Sequence, residues 1–342
     1  MCGAAAKRNG RQCGKQRYWC VTCHHSFIRQ KRSAVSFAQF RAFYQFIVGR
    51  VSRKHLTIVQ EISRKKVSQT FMVFFDRPLS AAAVWQIFPP SFSALWTLAL
   101  DGKWLRRNGV VMIYRNVTDR ETVWWNWHTS ESYIALHSDL AALAECCADH
   151  PPTGAISDWK GSIVGSVAGW FGEIPHQRCL AHVERDIKKL LPKYSPLAAT
   201  QELRRIGTQI TQIKTHEEKD AWLLWLATWE MCYGHVLKER SRPVDPTITQ
   251  RKWWYTHSNI RRAYRILTKD QHHLFEYLDH PEIPTTNNTL EGMNSNFKGK
   301  LHDHRGMKPP QQYSFLSWYL TFQKVKTAAD LKKLWAIWKS FL

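Results

Sequence analysis

The chain is 342 residues long, carries a formal net charge of +22, and is 44% hydrophobic with 17 tryptophans. That length allows one large domain or two to three smaller ones, and that apolar content excludes general disorder. No Walker A sequence and no Gly-x-Gly-x-x-Gly fingerprint is present, so nucleotide-driven and dinucleotide chemistry have no motif behind them.

The charge is concentrated at one end: residues 1–77 hold 16 Lys and Arg against two Asp and Glu. A basic head on a nearly balanced body fits a DNA-binding head on a globular enzyme, with solubility as the plainer alternative. The eight cysteines include one Cys-x-x-Cys and an adjacent Cys146-Cys147 pair. That is not the even spread of a secreted disulfide scaffold. With no signal peptide in view, a cytoplasmic, nucleoid-associated protein is expected.

Residues 1–33 are short, basic and Cys-bearing, with Lys15 and Arg17 in a candidate DNA-binding hairpin. From 37 to 48, apolar residues at 37, 40, 43, 44, 47 and 48 keep a helical period. Two shorter helical patterns follow, over 53–62 and 66–75, separated by Ser63-Arg64-Lys65. Leu56, Val59, Ile62, Val67, Phe71 and Phe74 would form a shared apolar face. That outlines a helix-turn-helix domain over 34–80, although any small basic three-helix unit looks similar. Its second helix would offer Arg64, Lys65, Lys66, Ser68, Gln69 and Thr70 to phosphates and base edges.

The uncharged stretch 78–100 is broken by Pro89-Pro90 and diluted by Gln86 and serines. It reads as a buried connector and not as a membrane span. Strands are predicted at 97–100, 110–116 and 122–127, then a helix from a Ser130 cap through Ala148. A fourth strand at 154–157, a helix at 160–170 and a short fifth strand at 174–176 follow. The region 180–273 is long-helical and rich in tryptophan, including Trp222, Trp225, Trp229, Trp253 and Trp254.

Three acids stand out by context. Asp101 ends the apolar run Leu98-Ala99-Leu100, and Asp158 follows Ala155-Ile156-Ser157. Glu291 lies in the polar helical segment Asn287-Asn288-Thr289-Leu290-Glu291-Gly292-Met293-Asn294. A lone Asp before Gly is more often a turn residue. Two acids at strand ends and one on a later helix can, however, converge to hold two divalent ions, which clamp both oxygens of a phosphoryl transfer. Glu291, Asn294 and Lys298 share one helix face by their spacing.

The ordered series LALDG, SDWKG, HQRCLAH and NNTLEGMNSNFKGKLHDHRGM resembles the DDE transposases of bacterial insertion sequences related to Mutator-like elements. The resemblance runs from about residue 97 to the C-terminus, and a ribbon-like start extends it towards residue 1. It implies an RNase H-like α/β catalytic core over 95–182 and 283–342, interrupted by an all-helical insertion over 183–282. The long interval between Asp158 and Glu291 fits such an insertion. It further implies that Asp101, Asp158 and Glu291 are catalytic and bind Mg²⁺ or Mn²⁺, two ions in all. Asp101 would bridge them, while Asp158 and Glu291 would hold one each. Cys179 and His182, as the family's Cys-x-x-His, are expected to support or position, together with Asn288, Asn294 and Lys298.

The family's N-terminal zinc ribbon survives here only in part. Cys20, Cys23 and Phe27 supply its second half, and Cys2 alone remains of the first, so the chain is expected to start within the motif. Cys2, Cys20 and Cys23 are candidate Zn²⁺ ligands, with Cys13 or His24 as a fourth. The implied function is a DNA transposase that binds terminal inverted repeats and catalyses metal-dependent strand cleavage and transfer. Its partner is double-stranded DNA, both element ends and target, on which it is expected to form a homo-oligomer; no membrane is involved. A transposase-derived DNA-binding protein without catalysis is the alternative, and a structure-selective nuclease is a third reading.

Overall fold

In a computed structural model, the structure describes residues 5–12, 15–28, 35–49, 52–60, 63–105, 108–244, 252–303 and 307–340. The chain divides into two compact units, Met1–Val73 and Phe74–Leu342.

The first unit begins with an antiparallel sheet of β1 (Ala6–Gln12), β2 (Lys15–Cys20) and β3 (Ser26–Ile28), in that order. Tyr18 and Phe27 stack across β2 and β3 at 6.0 Å. Then α1 (Phe37–Val48) starts where Ser36 and Gln39 satisfy each other's backbone N–H groups, a reciprocal cap. α2 (Arg53–Gln60) starts at Ser52, whose Oγ accepts from His55 N at 3.1 Å. Ser63 likewise accepts from Lys66 N at 3.3 Å, so α3 (Arg64–Phe75) takes up Arg64 and Lys65. The sequence pattern placed those two residues in the turn; the Ser63 cap draws them into the helix. Phe40, Phe43, Phe46, Leu56, Val67 and Phe71 are buried, with Phe71 5.2 Å from Phe43 and 5.0 Å from Phe46.

In the second unit, the expected connector contains a helix, α4 (Ala81–Ile87), capped by Ser80 and burying Ala81, Val84 and Ile87. Among the described residues no helix is long and apolar enough to cross a membrane. Five strands form one mixed sheet: β4 (Thr97–Trp104), β5 (Val110–Asn116), β6 (Glu121–His128), β7 (Gly154–Ser157) and β8 (His176–Arg178). Their order is β6-β5-β4-β7-β8, antiparallel from β6 to β4 and parallel from β4 to β8. The fifth strand lies later than its predicted 174–176. Pro175 has no N–H to donate, so pairing starts with its carbonyl, accepting from Ala155 N at 2.8 Å, and continues through His176.

Between β6 and β7 runs α5 (Tyr133–Cys146), capped by Ser132 and not by Ser130. Its buried Asp139 ties the helix to the sheet by accepting from Tyr114 Oη at 2.9 Å and Asn126 Nδ2 at 2.8 Å. α6 (Gly161–Phe171) crosses back to β8.

The helical section comprises α7 (Leu180–Leu190), α8 (Ala198–Gln209), α9 (His216–Tyr233), α10 (Ser258–Thr268) and α11 (Glu276–Asp279). Their apolar faces share a core that includes Leu203, Ile206, Trp222, Trp229, Ala263 and Leu267. Trp222 and Trp229 also donate to the carbonyls of Ile206 and Ala199, each at 2.9 Å. Trp253 and Trp254 are not in this core: they are exposed beside a ribbon of β9 (Arg240–Ser241) and β10 (Trp254–Tyr255). The fold ends with α12 (Asn288–Asp303), α13 (Pro309–Gln323) and α14 (Ala328–Ser340).

Helix α13 is buried on nearly all sides, so its polar groups need partners. Ser317 Oγ donates to the Leu79 carbonyl at 2.8 Å and accepts from Trp125 Nε1 at 3.1 Å. Ser317→Ala orphans both groups, and we expect a loss of about 1–3 kcal/mol in urea unfolding. The exposed Ser340→Ala should change stability by no more than about 0.5 kcal/mol.

Candidate active site

Pairing of β4 with β7 is parallel and in register at Thr97–Gly154, Leu98–Ala155 and Ala99–Ile156. Carried two residues further, that register sets Asp101 beside Asp158 at the same end of the sheet. The segment returning from the helical section then runs from the first residues of β4 and β7 towards this pair of acids. Thr97 Oγ1 donates to the Glu282 carbonyl at 3.3 Å, and Ile283 fills the space that a Cβ at Gly154 would need, 2.6 Å away. Leu180 N donates to the Thr285 carbonyl at 3.0 Å. Buried Asn287 donates its amide N–H to Cys179 Sγ at 3.3 Å and its Nδ2 to the Leu100 carbonyl at 3.4 Å. Helix α12 therefore starts over the middle of β4, next to Asp101, with Glu291 in its first turn.

Each acid has its own escort. Asp101 Oδ1 accepts from Gly102 N at 2.9 Å, and Oδ2 accepts from Asn294 Nδ2 at 2.6 Å. Asp158 Oδ2 lies 3.1 Å from Lys160 Nζ, and Oδ1 accepts from Lys160 N at 3.2 Å. Glu291 Oε1 accepts from the Arg185 guanidinium at 3.3 Å and lies 3.6 Å from His182 Nδ1. The three carboxylates converge on one end of the sheet but do not all come within 4.8 Å of one another. Glu291 leans to α7, and Asp158 leans to Lys160.

Their proximity is electrostatically visible. Burial pushes the Asp101 carboxyl up to about 6, and Asp158 and Glu291 add to the rise against the Gly102 N–H and Lys160. Burial works against the Lys160 ammonium, but its hydrogen bond to Glu131 and the Asp158 charge leave its pKa raised. Burial, then the nearby Lys298, lowers Lys103. Glu291, Asn294 and Lys298 thus meet α7, Asp101 and Lys103 in turn along one helix face.

Cys179 is buried, and burial raises its thiol; it joins the end of β7, the start of α7 and Asn287. Burial, then Arg185, lowers the His182 pKa. Asn288 is exposed at the helix start and contacts none of the acids through any described hydrogen bond; its neighbour Asn287 makes the links.

Sequence reasoning missed Glu131. It sits between β6 and α5, almost fully buried, and pairs with Lys160 through Oε2. Its Oε1 has no hydrogen-bond partner and would lie 2.1 Å from a Cβ at position 102. Gly102 lies within β4, and a side chain there would have to displace the Glu131 carboxylate from this approach. Nothing around Glu131 in the sequence signals this; Lys160 was signalled only by adjacency to Asp158. Arg185, one helical turn after Ala181 in α7, was likewise unmarked.

At the N-terminus, Cys20 is buried and Cys23 is exposed beyond it on a turn. His24 follows at φ +52° with its ring 5.8 Å from Trp19. Among the described residues no group of three metal donors includes these two cysteines. Cys2 and Cys13 lie outside the described residues, as do His304, Arg305 and the side chains of Lys15 and Arg64. Arg17 lies on β2. On α3, Lys65, Lys66 and Gln69 are exposed. Thr70 is not: it is 9% exposed on the buried face, four residues before Phe74 and one before Phe71, and cannot offer its hydroxyl to DNA from there.

Residues 168–293 match the family model described as Transposase IS66 family. The matched span runs from α6 to the first turns of α12. It contains Cys179, His182 and Glu291, and it ends short of Asn294; Asp101 and Asp158 precede it. IS66 is not Mutator-like, so the match supports similarity to a transposase and not the narrower Mutator relation. A search of curated proteins finds no match to the chain.

The raised Asp101 pKa has a consequence for stability. The unfolded chain releases this proton near pH 3.8 and the folded chain only near 6. Stability should fall as pH rises between those values and level off above them. In chelator, Asp101→Asn should be more stable than the native chain by on the order of 1–3 kcal/mol at pH 8, with the gain gone below pH 4. Urea unfolding at both pH values measures it.

Proposed function

We propose that the chain is a DNA transposase whose strand cleavage and transfer depend on Mg²⁺ or Mn²⁺ held by Asp101, Asp158 and Glu291. The observation that carries the reading is the crowding of the three acids, with Asp101 raised to about 6 by burial and its two neighbours. Similarity of residues 168–293 to a transposase family supplies the reaction class. The sheet order β6-β5-β4-β7-β8 supports an RNase H-like core over 95–182 and 283–342, with 183–282 as the insertion.

The donor set fits hard divalent cations. Three carboxylates crowd a partly buried site, and Glu131 Oε1 and Asn294 Oδ1 are buried without a hydrogen-bond partner. Such ions would supply the positive charge that stabilises the attacking and leaving oxygens of a phosphodiester. Asp101, whose carboxyl feels both Asp158 and Glu291, would be the ligand common to both ions. Asn294 fixes one of its oxygens and the Gly102 N–H the other. Lys160 offsets the charge of Asp158 and Glu131. Arg185 orients Glu291, while Lys103 and Lys298 offer cations to the DNA backbone. The basic first unit, with Lys65, Lys66 and Gln69 exposed on α3, is read as the part that grips element ends, phosphates through the lysines and bases through Gln69.

Asp101→Asn, Asp158→Asn and Glu291→Gln remove one ligand charge each while keeping side-chain size. Each should slow cleavage of element-end DNA by about a thousandfold, the rate equivalent of several kcal/mol, with DNA binding retained. Full cleavage by all three variants would refute the enzyme. Full cleavage by Glu291→Gln alone would remove the third ligand. Retained DNA binding without cleavage in the native chain would favour a DNA-binding protein that has lost catalysis.

A further inference from the structure

Trp159 follows Asp158 directly and has φ +68°. A bulky residue in the left-handed region costs about 1–2 kcal/mol that glycine would not incur, so contacts elsewhere must offset it. Those contacts are present. Trp159 Nε1 donates to Asp270 Oδ2 at 3.3 Å, and Asp270 itself has φ +54°. The indole ring lies 4.3 Å from the ring of His273 and edge-on to His176 at 5.0 Å. On the strand side, Trp159 N donates to Ser157 Oγ at 3.2 Å, and Ser157 Oγ lies 2.9 Å from His176 Nε2. Two of the four non-glycine residues with positive φ among the described residues are thus bonded to each other, across 111 positions of sequence.

We propose that Trp159 is a positioning residue for Asp158: its ring, latched to Asp270 and His273 of the helical section, holds the left-handed turn that keeps Asp158 beside Asp101. The proposal rests on the metal-binding reading of that pair. Residues 157 and 159 are both anchored on the β8 side, so the residue between them has little freedom to turn away. Release of the ring lets the backbone at 159 relax to negative φ, and Asp158 then swings off the register that β4 and β7 set. The helical section is thereby coupled to the catalytic pair through one side chain and not through its bulk alone.

The test is Mn²⁺ binding to the full chain by electron paramagnetic resonance, with Asp158→Asn defining the relevant ions. Trp159→Gly tolerates the backbone conformation but removes the latch, and should weaken Asp158-dependent Mn²⁺ binding about 10-fold or more. Asp270→Ala should weaken it in the native chain but add little to Trp159→Phe, because both remove one hydrogen bond. If Trp159→Gly does not fold, those two milder variants still decide. A residue that only joins the two parts would lower the melting temperature and leave the Mn²⁺ affinity within twofold of the native chain; that result overturns the proposal. No Asp158-dependent binding in the native chain would overturn the metal reading and this proposal with it.

Discussion

Carboxylates set side by side where two parallel strands part repel one another unless cations or hydrogen-bond donors stand beside them, and the pairing of β4 with β7 imposes that juxtaposition on Asp101 and Asp158. Much of the surrounding structure answers this constraint. Gly102 and Asn294 donate to Asp101, Lys160 sits against Asp158 and Glu131, and Arg185 holds Glu291. These escorts come from the sheet, from the start of α6, from α7 and from α12, elements spread along the chain. The Asp101 pKa remains raised despite them, first by burial and then by the neighbouring Asp158 and Glu291.

The segment from Glu282 to Asn287 converts a remote part of the sequence into a local part of the site. It touches β4 at Thr97 and Leu100, β7 through Gly154, and α7 through Leu180 and Cys179. Cys179 is best understood here. Its buried, protonated sulfur accepts a hydrogen bond and serves as a joint. The helical section brings a core of its own, so its length does not loosen the site.

Much of this was legible in the chain because the signals were local. Apolar runs before Asp101 and Asp158 marked strands, although β4 continues past Asp101 to Trp104, and the polar segment around Glu291 marked a helix. Strand boundaries shifted where backbone chemistry decided, as at Pro175, and helix starts shifted to Ser63 and Ser132, whose hydroxyls cap. Trp253 and Trp254 were misread as helical because tryptophan content carries no period; both are exposed at the β9–β10 ribbon. Glu131 and Arg185 could not be found, since their meaning comes only from what the fold places opposite them. Asn288 was chosen over Asn287 for the same reason: one position of helix phase separates a buried donor from an exposed side chain.

The central claim is that this crowd of acids is completed by divalent cations. Ligands that bind only the folded state raise its stability with their concentration. The most direct measurement is the unfolding midpoint of the full chain near pH 7.5 across a Mn²⁺ titration, with Asp101→Asn alongside. A midpoint that climbs steadily in the native chain and stays flat in Asp101→Asn is the expected result. A flat response in both, or an equal climb in both, would contradict it.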